Sequence, residues 1–314
     1  MTSSPPAWAR AIDQRHITTA DGTRVGYQVR GVGPCVVFAN GLGGTYIAFR
    51  HLYEALGDDY KTICWDYRGL YTSSPARDPR AYAVGDHIAD LIAILAAENV
   101  DQFVVVGWSM GVQVGFEIIN RHRGRVRAMC AINGTYGRPF RTVLGSRLIG
   151  QTIPMLIRLV RAQATLVGRA TKRLAGSDAL IHAMVRVGLV SETIDVETFR
   201  HVAGGFQTID WLIYTELMNR LDEHDAEAVL PTIDVPVTIV TGDRDPITPP
   251  ATAEHIHRLV PGSRLVVIKR GTHYTPVEYP AIIVDELGKL LDRVPGWRRR
   301  DSGPESRPPA KESV

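Results

Sequence analysis

Phe103-Val-Val-Val-Gly-Trp-Ser109-Met-Gly-Val-Gln-Val-Gly-Phe-Glu-Ile-Ile-Asn120 decides how this chain is read. A continuous apolar run, Phe103–Trp108, has the length and character of a strand buried on both faces. The residues after it, up to Asn120, carry apolar side chains at helical spacing. Between them stands Gly107-Trp108-Ser109-Met110-Gly111, a G-x-S-x-G pattern placed where a strand turns into a helix. A serine on so sharp a turn is pushed out at the strand's C-terminal end, and small flanking residues let the backbone pack closely enough to form the turn. Ser109 is therefore the predicted nucleophile. An ordinary glycine-bounded strand-to-helix turn is the competing reading, and the rest of the chain has to decide between them.

Working outward, the apolar runs Cys35–Ala39, Thr62–Asp66, Val126–Ile132, Val237–Thr241 and Leu265–Ile268 read as further buried strands. His16–Thr19 and Val25–Arg30 flank Asp21-Gly22 and read as a hairpin. Helical periodicity fills Val84–Glu98, Gly111–Asn120, Ala251–Leu259 and Pro280–Leu291. Alternating strands and helices predict an α/β fold, a mostly parallel sheet of about eight strands with helices on both faces. From about Thr135 to Leu230 the pattern is helical throughout, too long for a crossover, and reads as a helical cap inserted over the sheet. The expected organisation is a core of residues 11–134 and 231–292, a cap of 135–230, and unstructured ends at 1–10 and 298–314.

A serine hydroxyl needs a base. Of ten histidines, His273 in Gly271-Thr272-His273 directly follows the strand Leu265–Ile268, at the sheet edge where sites of open α/β sheets gather. The base needs an acid to orient it. Thr241-Gly242-Asp243-Arg244-Asp245-Pro246 follows the strand Val237–Thr241, and both aspartates compete for the role. The chain order serine, aspartate, histidine is the order this architecture uses.

On these motifs the chain resembles the α/β-hydrolase fold superfamily, from about residue 15 to residue 292. The family's Gly-x-x-Asp pattern maps onto Gly242 and Asp245, which selects Asp245 over Asp243. Its histidine loop is similar to Gly271-Thr272-His273 with Glu278 and Pro280. Asp66-Tyr67-Arg68-Gly69, followed by Ser73, resembles a turn that is architectural in the family. The resemblance implies a Ser109–Asp245–His273 triad.

The oxyanion of a tetrahedral intermediate needs N–H donors. Met110, which follows the nucleophile at a helix start, supplies one backbone N–H. Leu42, in the loop Asn40-Gly41-Leu42-Gly43-Gly44, supplies the other by position. The family often begins this loop with His-Gly where this chain has Asn40-Gly41. Asn40, Gly41 and Trp108 are expected to line the substrate pocket. The loop matches neither a dinucleotide fingerprint nor a P-loop, so it is not read as a phosphate cradle.

Composition narrows the field further. Hydrophobic residues make up 45% and charged residues 22%, and the formal charge of +3 is too small to suggest nucleic acid. Cys35, Cys64 and Cys130 lie in or beside apolar runs without metal or disulfide spacing, and are read as reduced core residues. With no apolar h-region at the start of the sequence, the expected location is the cytoplasm. No metal or organic cofactor is implied. Arg138 to Ser177 holds eight Lys or Arg and no Asp or Glu, interleaved with Ile153-Pro154-Met155-Leu156-Ile157 and Leu166-Val167. The preferred reading is a cap helix with one solvated basic face and one apolar face over the site. Contact with an anionic membrane is the less favoured alternative.

The expected activity is hydrolysis of a carboxylic ester with a hydrophobic acyl or aromatic part, through an acyl-enzyme. The partner is then a small-molecule ester or lipid-like substrate, and the sequence does not settle the oligomeric state. Carbon–carbon bond hydrolysis, perhydrolase or haloperoxidase-like chemistry and acyl transfer are the alternatives on the same constellation. A non-catalytic binding protein of this fold would be expected to lack a triad member.

Overall fold

The computed structural model describes residues 7–141, 143 and 147–297. The strands are β1 (Asp13–Thr18), β2 (Arg24–Arg30), β3 (Cys35–Ala39), β4 (Lys61–Trp65), β5 (Phe103–Trp108), β6 (Val126–Ile132), β7 (Val237–Gly242) and β8 (Arg264–Ile268). They form one sheet in the order β1-β2-β4-β3-β5-β6-β7-β8. β1 and β2 pair antiparallel, as do β2 and β4, and every later pairing is parallel. Every residue of β3, β5 and β7 is buried, as expected of strands covered on both faces. β1 and β8 lie at the edges and are correspondingly more exposed.

The helices of the sheet are α1 (Arg50–Leu56), α2 (Val84–Ala97) and α3 (Met110–Arg121), joined late in the chain by α9 (Pro250–Leu259), α10 (Thr275–Glu278) and α11 (Pro280–Leu291). The step from β3 through α1 to β4 runs one way along the sheet. The step from β4 through α2 to β5 runs back past β3. Right-handed crossovers therefore put α1 and α2 on opposite faces. α2 packs on α3, and α1 packs on α11. This reversal opens a crevice at the C-terminal ends of the central strands.

Between β6 and β7 the chain forms α4 (Arg147–Ala162), α5 (Ala164–Leu174), α6 (Asp178–Arg186), α7 (Val196–Gly204) and α8 (Trp211–Glu223) with short 3-10 turns. Its entry and exit are pinned together by an isolated antiparallel bridge, Gly137 to Asp225, and by the Arg138–Asp225 ion pair at 2.9 Å. After β7 come α9 (Pro250–Leu259), and after β8 the short α10 (Thr275–Glu278) and α11 (Pro280–Leu291). No helix among the described residues is long and apolar enough to cross a membrane. The three cysteines are buried and free.

The N-terminal stretch read as unstructured is shorter than expected. Residues Ala7–Ala11 form a 3-10 turn, with Ala9 buried. Apolar Trp8 and Ala9 give this stretch something to bury, which its Ser and Pro neighbours obscure in the sequence. The remaining part, 1–6, and the C-terminal stretch 298–314 lie outside the described residues.

The Asp66–Gly69 turn is a buried polar knot. Arg68 reaches both oxygens of Asp90 at 2.7 Å and Asp21 at 2.6 Å. The Asp66 carboxylate accepts from the backbone and hydroxyl of Thr72, and Ser73 bridges the Asp66 carbonyl to Gly26. Burial pushes the Asp66 carboxyl up to about 6, although the bonds from Thr72 and Gln28 pull the other way. An acid raised in the folded state is ionised first in the unfolded chain as pH rises. It therefore removes stability between the ordinary aspartate value and about 6. Relative to Asp66→Asn, the wild type is expected to lose about 2 kcal/mol of unfolding free energy between pH 4 and pH 7. Urea melts at a series of pH values check this. Parallel curves for the two proteins would contradict it.

Candidate active site

The strand order fixes what can meet. β3, β5, β6, β7 and β8 are consecutive parallel neighbours, so the loops leaving their C-terminal ends share one edge. Those loops begin at Asn40, Ser109, Asn133, Asp243 and Lys269.

Ser109 sits at φ 55° and ψ −115°, a left-handed backbone that a side-chain-bearing residue rarely adopts. The two glycines of G-x-S-x-G are required by contact. A Cβ on Gly111 would lie 1.9 Å from the Ala39 carbonyl oxygen, and one on Gly107 would lie 2.4 Å from the Gly111 carbonyl oxygen. β3, β5 and α3 thus meet backbone to backbone beneath the serine, and the strained turn is held by that packing.

The structure brings Ser109, His273 and Asp245 together. His273 Nε2 lies 2.9 Å from Ser109 Oγ, and His273 Nδ1 lies 2.9 Å from Asp245 Oδ2. Burial alone would raise the Asp245 carboxyl. The charge and hydrogen bond of His273, with the bonds of Thr248, outweigh it and hold the group below the usual carboxylate range. Asp243 is placed elsewhere, accepting from the Arg270 backbone N–H at 2.6 Å. An imidazole with one nitrogen on a hydroxyl and the other on a buried carboxylate can accept the hydroxyl's proton and be stabilised once charged.

Two supports of this array, Asn133 and Thr248, are absent from the sequence reading, and a third, Glu278, entered it only as part of the histidine-loop resemblance. Asn133, the first residue after β6, donates from Nδ2 to Asp245 Oδ2 at 2.8 Å and to the Thr272 carbonyl at 3.0 Å. Its Oδ1 accepts from the Thr275 hydroxyl. Its φ of 45° suits an asparagine, and the Asn133-Gly134 dipeptide after an apolar run was the available signal. Thr248 donates its hydroxyl to Asp245 Oδ2 at 2.7 Å, while the Ile247 and Thr248 N–H groups donate to Oδ1. The spacing Asp-x-x-Thr, a local capping pattern, was legible in principle. Glu278 accepts from the backbone and hydroxyl of Thr272 and from the Ser191 N–H, tying the His273 loop to the segment before α7.

The loop after β3 is a tight turn. Gly44 N–H donates to the Gly41 carbonyl at 2.9 Å, and Gly43 adopts φ 76°, the pattern of a type II turn with glycine at the third position. The Tyr71 hydroxyl donates to the Gly43 carbonyl, and Tyr71 itself is held at φ 52°. Leu42 and Met110 both border the cavity above Ser109. Met110 opens α3, where first-turn N–H groups have no acceptor within the helix.

That cavity measures about 470 Å³. Gly41 and Trp108 line it; Asn40 does not, which corrects the expectation for that residue. Asn40 is buried with its Nδ2 turned across to β4, 3.1 Å from Cys64 Sγ and 3.2 Å from the Trp65 carbonyl. Tyr67 meanwhile donates to the Asn40 carbonyl at 2.8 Å. The roof comes from the β6–β7 insertion, through residues such as Ile153, Leu180, Phe199, Phe206, Tyr214 and Met218. Among the described residues, no Lys, Arg, Asp or Glu lines the cavity. Among the described residues, no cluster of three or more His, Cys, Asp or Glu could hold a metal ion.

A model of the alpha/beta hydrolase family matches residues 36–286, which spans β3 to α11 and every residue just described. The chain belongs to the alpha/beta hydrolase family. Among curated alpha/beta hydrolase relatives, "Putative carbamate hydrolase RutD" of Escherichia coli O81 (strain ED1a) is 24% identical over 262 residues, covering 82% of this chain and 92% of that protein. Solved structures share the fold. The enol-lactonase of Burkholderia xenovorans LB400 superposes with a TM-score of 0.70 at 19% identity, over 89% of this chain and 100% of the other. A thermophilic esterase from Thermogutta terrifontis gives 0.68 at 20% identity, over 90% and 98%. The bromoperoxidase of Bacillus anthracis gives 0.69 at 19% identity, over 89% and 100%.

Within this alpha/beta hydrolase site, Tyr71 has a measurable job. Tyr71→Phe removes the bond that fixes the Gly43 carbonyl and loosens the turn carrying Leu42. With one hydrogen bond worth about 1 kcal/mol, turnover is expected to fall about fivefold with KM little changed. Steady-state kinetics on a chromogenic ester check this. A variant with wild-type turnover would remove Tyr71 from the account.

Proposed function

We propose that this alpha/beta hydrolase is a serine esterase cleaving carboxylic esters with a neutral, hydrophobic acyl or aromatic part. One observation carries the reading: an Oγ–imidazole–carboxylate chain, with both links at 2.9 Å, opens into a cavity bordered, among the described residues, by no Lys, Arg, Asp or Glu side chain. The acyl group lies among Phe, Met and Leu side chains of the proposed cap, residues 135–230. His273 takes the proton of Ser109 as Oγ attacks the ester carbonyl. The Leu42 and Met110 N–H groups hold the oxyanion. Collapse breaks the carbon–oxygen bond, and His273 returns the proton to the leaving alcohol. Water then enters, gives a proton to His273 and attacks the acyl-enzyme; collapse breaks the acyl–Oγ bond, His273 returns the proton to Oγ, and the acid leaves with Ser109 regenerated. Asp245 keeps the imidazole oriented and stabilises its charged form.

The same cavity argues against an anionic substrate, because no Lys or Arg among the described residues lines it. Burying a lone carboxylate-like charge among apolar groups is costly. An ester panel tests the proposal. Each methylene moved from water into the cavity gains about 0.8 kcal/mol. The kcat/KM for p-nitrophenyl hexanoate is therefore expected to exceed that for the acetate by at least about tenfold. A hemisuccinate ester is expected to fall below the acetate. Equal rates across the series, or a preference for the charged acyl group, would overturn the assignment. Turnover of a vinylogous diketone in place of esters would move the activity to carbon–carbon bond hydrolysis.

A further inference from the structure

The helices α4 and α5 carry two apolar faces, and the cavity uses one of them. On the inner side Ile153, Thr171 and Ala175 border the cavity, and Ile157 is buried. On the outer side Met155, Leu156, Leu159, Leu166 and Leu174 are between 52% and 66% exposed. They are ordered by helical geometry. Met155 and Leu159 are one turn apart on α4, and Leu166, Ala170 and Leu174 form an i, i+4, i+8 stripe on α5. Beside the α5 stripe runs a second one, Arg169 and Arg173 at i and i+4, with Lys172 next to it and Arg158 on α4. All four cations are exposed, and none makes an ion pair among the described residues. The segment has no carboxylate of its own between Arg138 and Ser177. By contrast Arg138 and Arg161, at the edges of this face, pair with Asp225 and Glu216.

We infer that the outer face of α4 and α5 docks on an anionic lipid bilayer. Exposed leucines in a stripe sit in the boundary between headgroups and acyl chains. The flanking arginines and lysine reach anionic headgroups, and the helices lie flat in the interface. The charge pattern separates this occupant from the others. A second copy of the chain packed symmetrically would bring the same unpaired cations against one another. Nucleic acid would leave the leucine stripe in water. Because the inner faces of these two helices roof the cavity, docking sets the cavity directly behind the membrane surface.

Vesicle binding tests this without any turnover. The wild-type chain is expected to sediment with phosphatidylcholine vesicles that contain phosphatidylglycerol, to release at high salt, and to leave pure phosphatidylcholine vesicles largely unbound. The variant Arg169→Ser with Lys172→Ser and Arg173→Ser is expected to lose about a hundredfold in partitioning, at about fivefold per cation. Leu166→Ser with Leu174→Ser is expected to lose at least about tenfold. Both variants should hydrolyse a short water-soluble ester at the wild-type rate, since none of these residues borders the cavity. Three results would overturn the inference: no binding of the wild type to the anionic vesicles, binding that both variants retain, or a wild-type dimer that the leucine variant converts to monomer.

Discussion

The left-handed backbone at Ser109 is the constraint on which the rest of the site depends. A φ of 55° at a serine costs free energy that local contacts cannot return. It persists because Gly111 lies against the Ala39 carbonyl and Gly107 against Gly111, so β3, β5 and α3 are locked at distances only glycine allows. Relaxing the turn would mean pulling a buried strand away from a buried helix. The same turn presents Oγ at the sheet edge and starts α3 at Met110, so the Ser109 hydroxyl and the Met110 N–H come from one backbone feature.

From there the geometry follows the sheet. Parallel pairing of β5, β6, β7 and β8 places consecutive loops side by side, and each loop contributes to a continuous hydrogen-bonded array. Ser109 meets His273, His273 meets Asp245, and Asp245 is held by Asn133 and Thr248. Asp245 can remain ionised while buried because these partners offset the burial of its charge. The array is polar only along this line. Above it the described cavity wall is mostly apolar, so the proposed ester substrate would be desolvated where developing charge meets preformed donors.

The sequence showed the parts that depend on local pattern. β3 and β5 match their apolar runs residue for residue, since strands buried on both faces cannot interrupt them with charge, and β6 matches too, its one charge, Arg127, falling at a half-buried position near its start. Ser109 and His273 stood out because each follows such a run, whereas the run before Asp243 and Asp245 left both open and only the family resemblance selected Asp245. What escaped depends on distant contacts. Asn133 is identified by Asp245, 112 residues away, and Tyr71 by the Gly43 carbonyl, 28 residues away. Neither spacing leaves a trace in the chain. Asn40 was misplaced for a related reason: its position in the loop is right for the pocket, but Cys64 and Trp65 turn its side chain inward. The segment from 135 to 230 read as helical, yet which of its faces would roof the cavity depended on how α4 to α8 fold back over the sheet.

The central claim is that Ser109 Oγ is activated by His273 in the folded chain. Intact-mass spectrometry after treatment with a fluorophosphonate tests it most directly, because that reagent captures an activated serine whatever the natural substrate is. One adduct on the wild type, mapped to the peptide carrying Ser109 and absent from folded Ser109→Ala, is the expected result. A folded wild type that takes up no reagent, or a Ser109→Ala variant that is labelled equally well, would contradict the account.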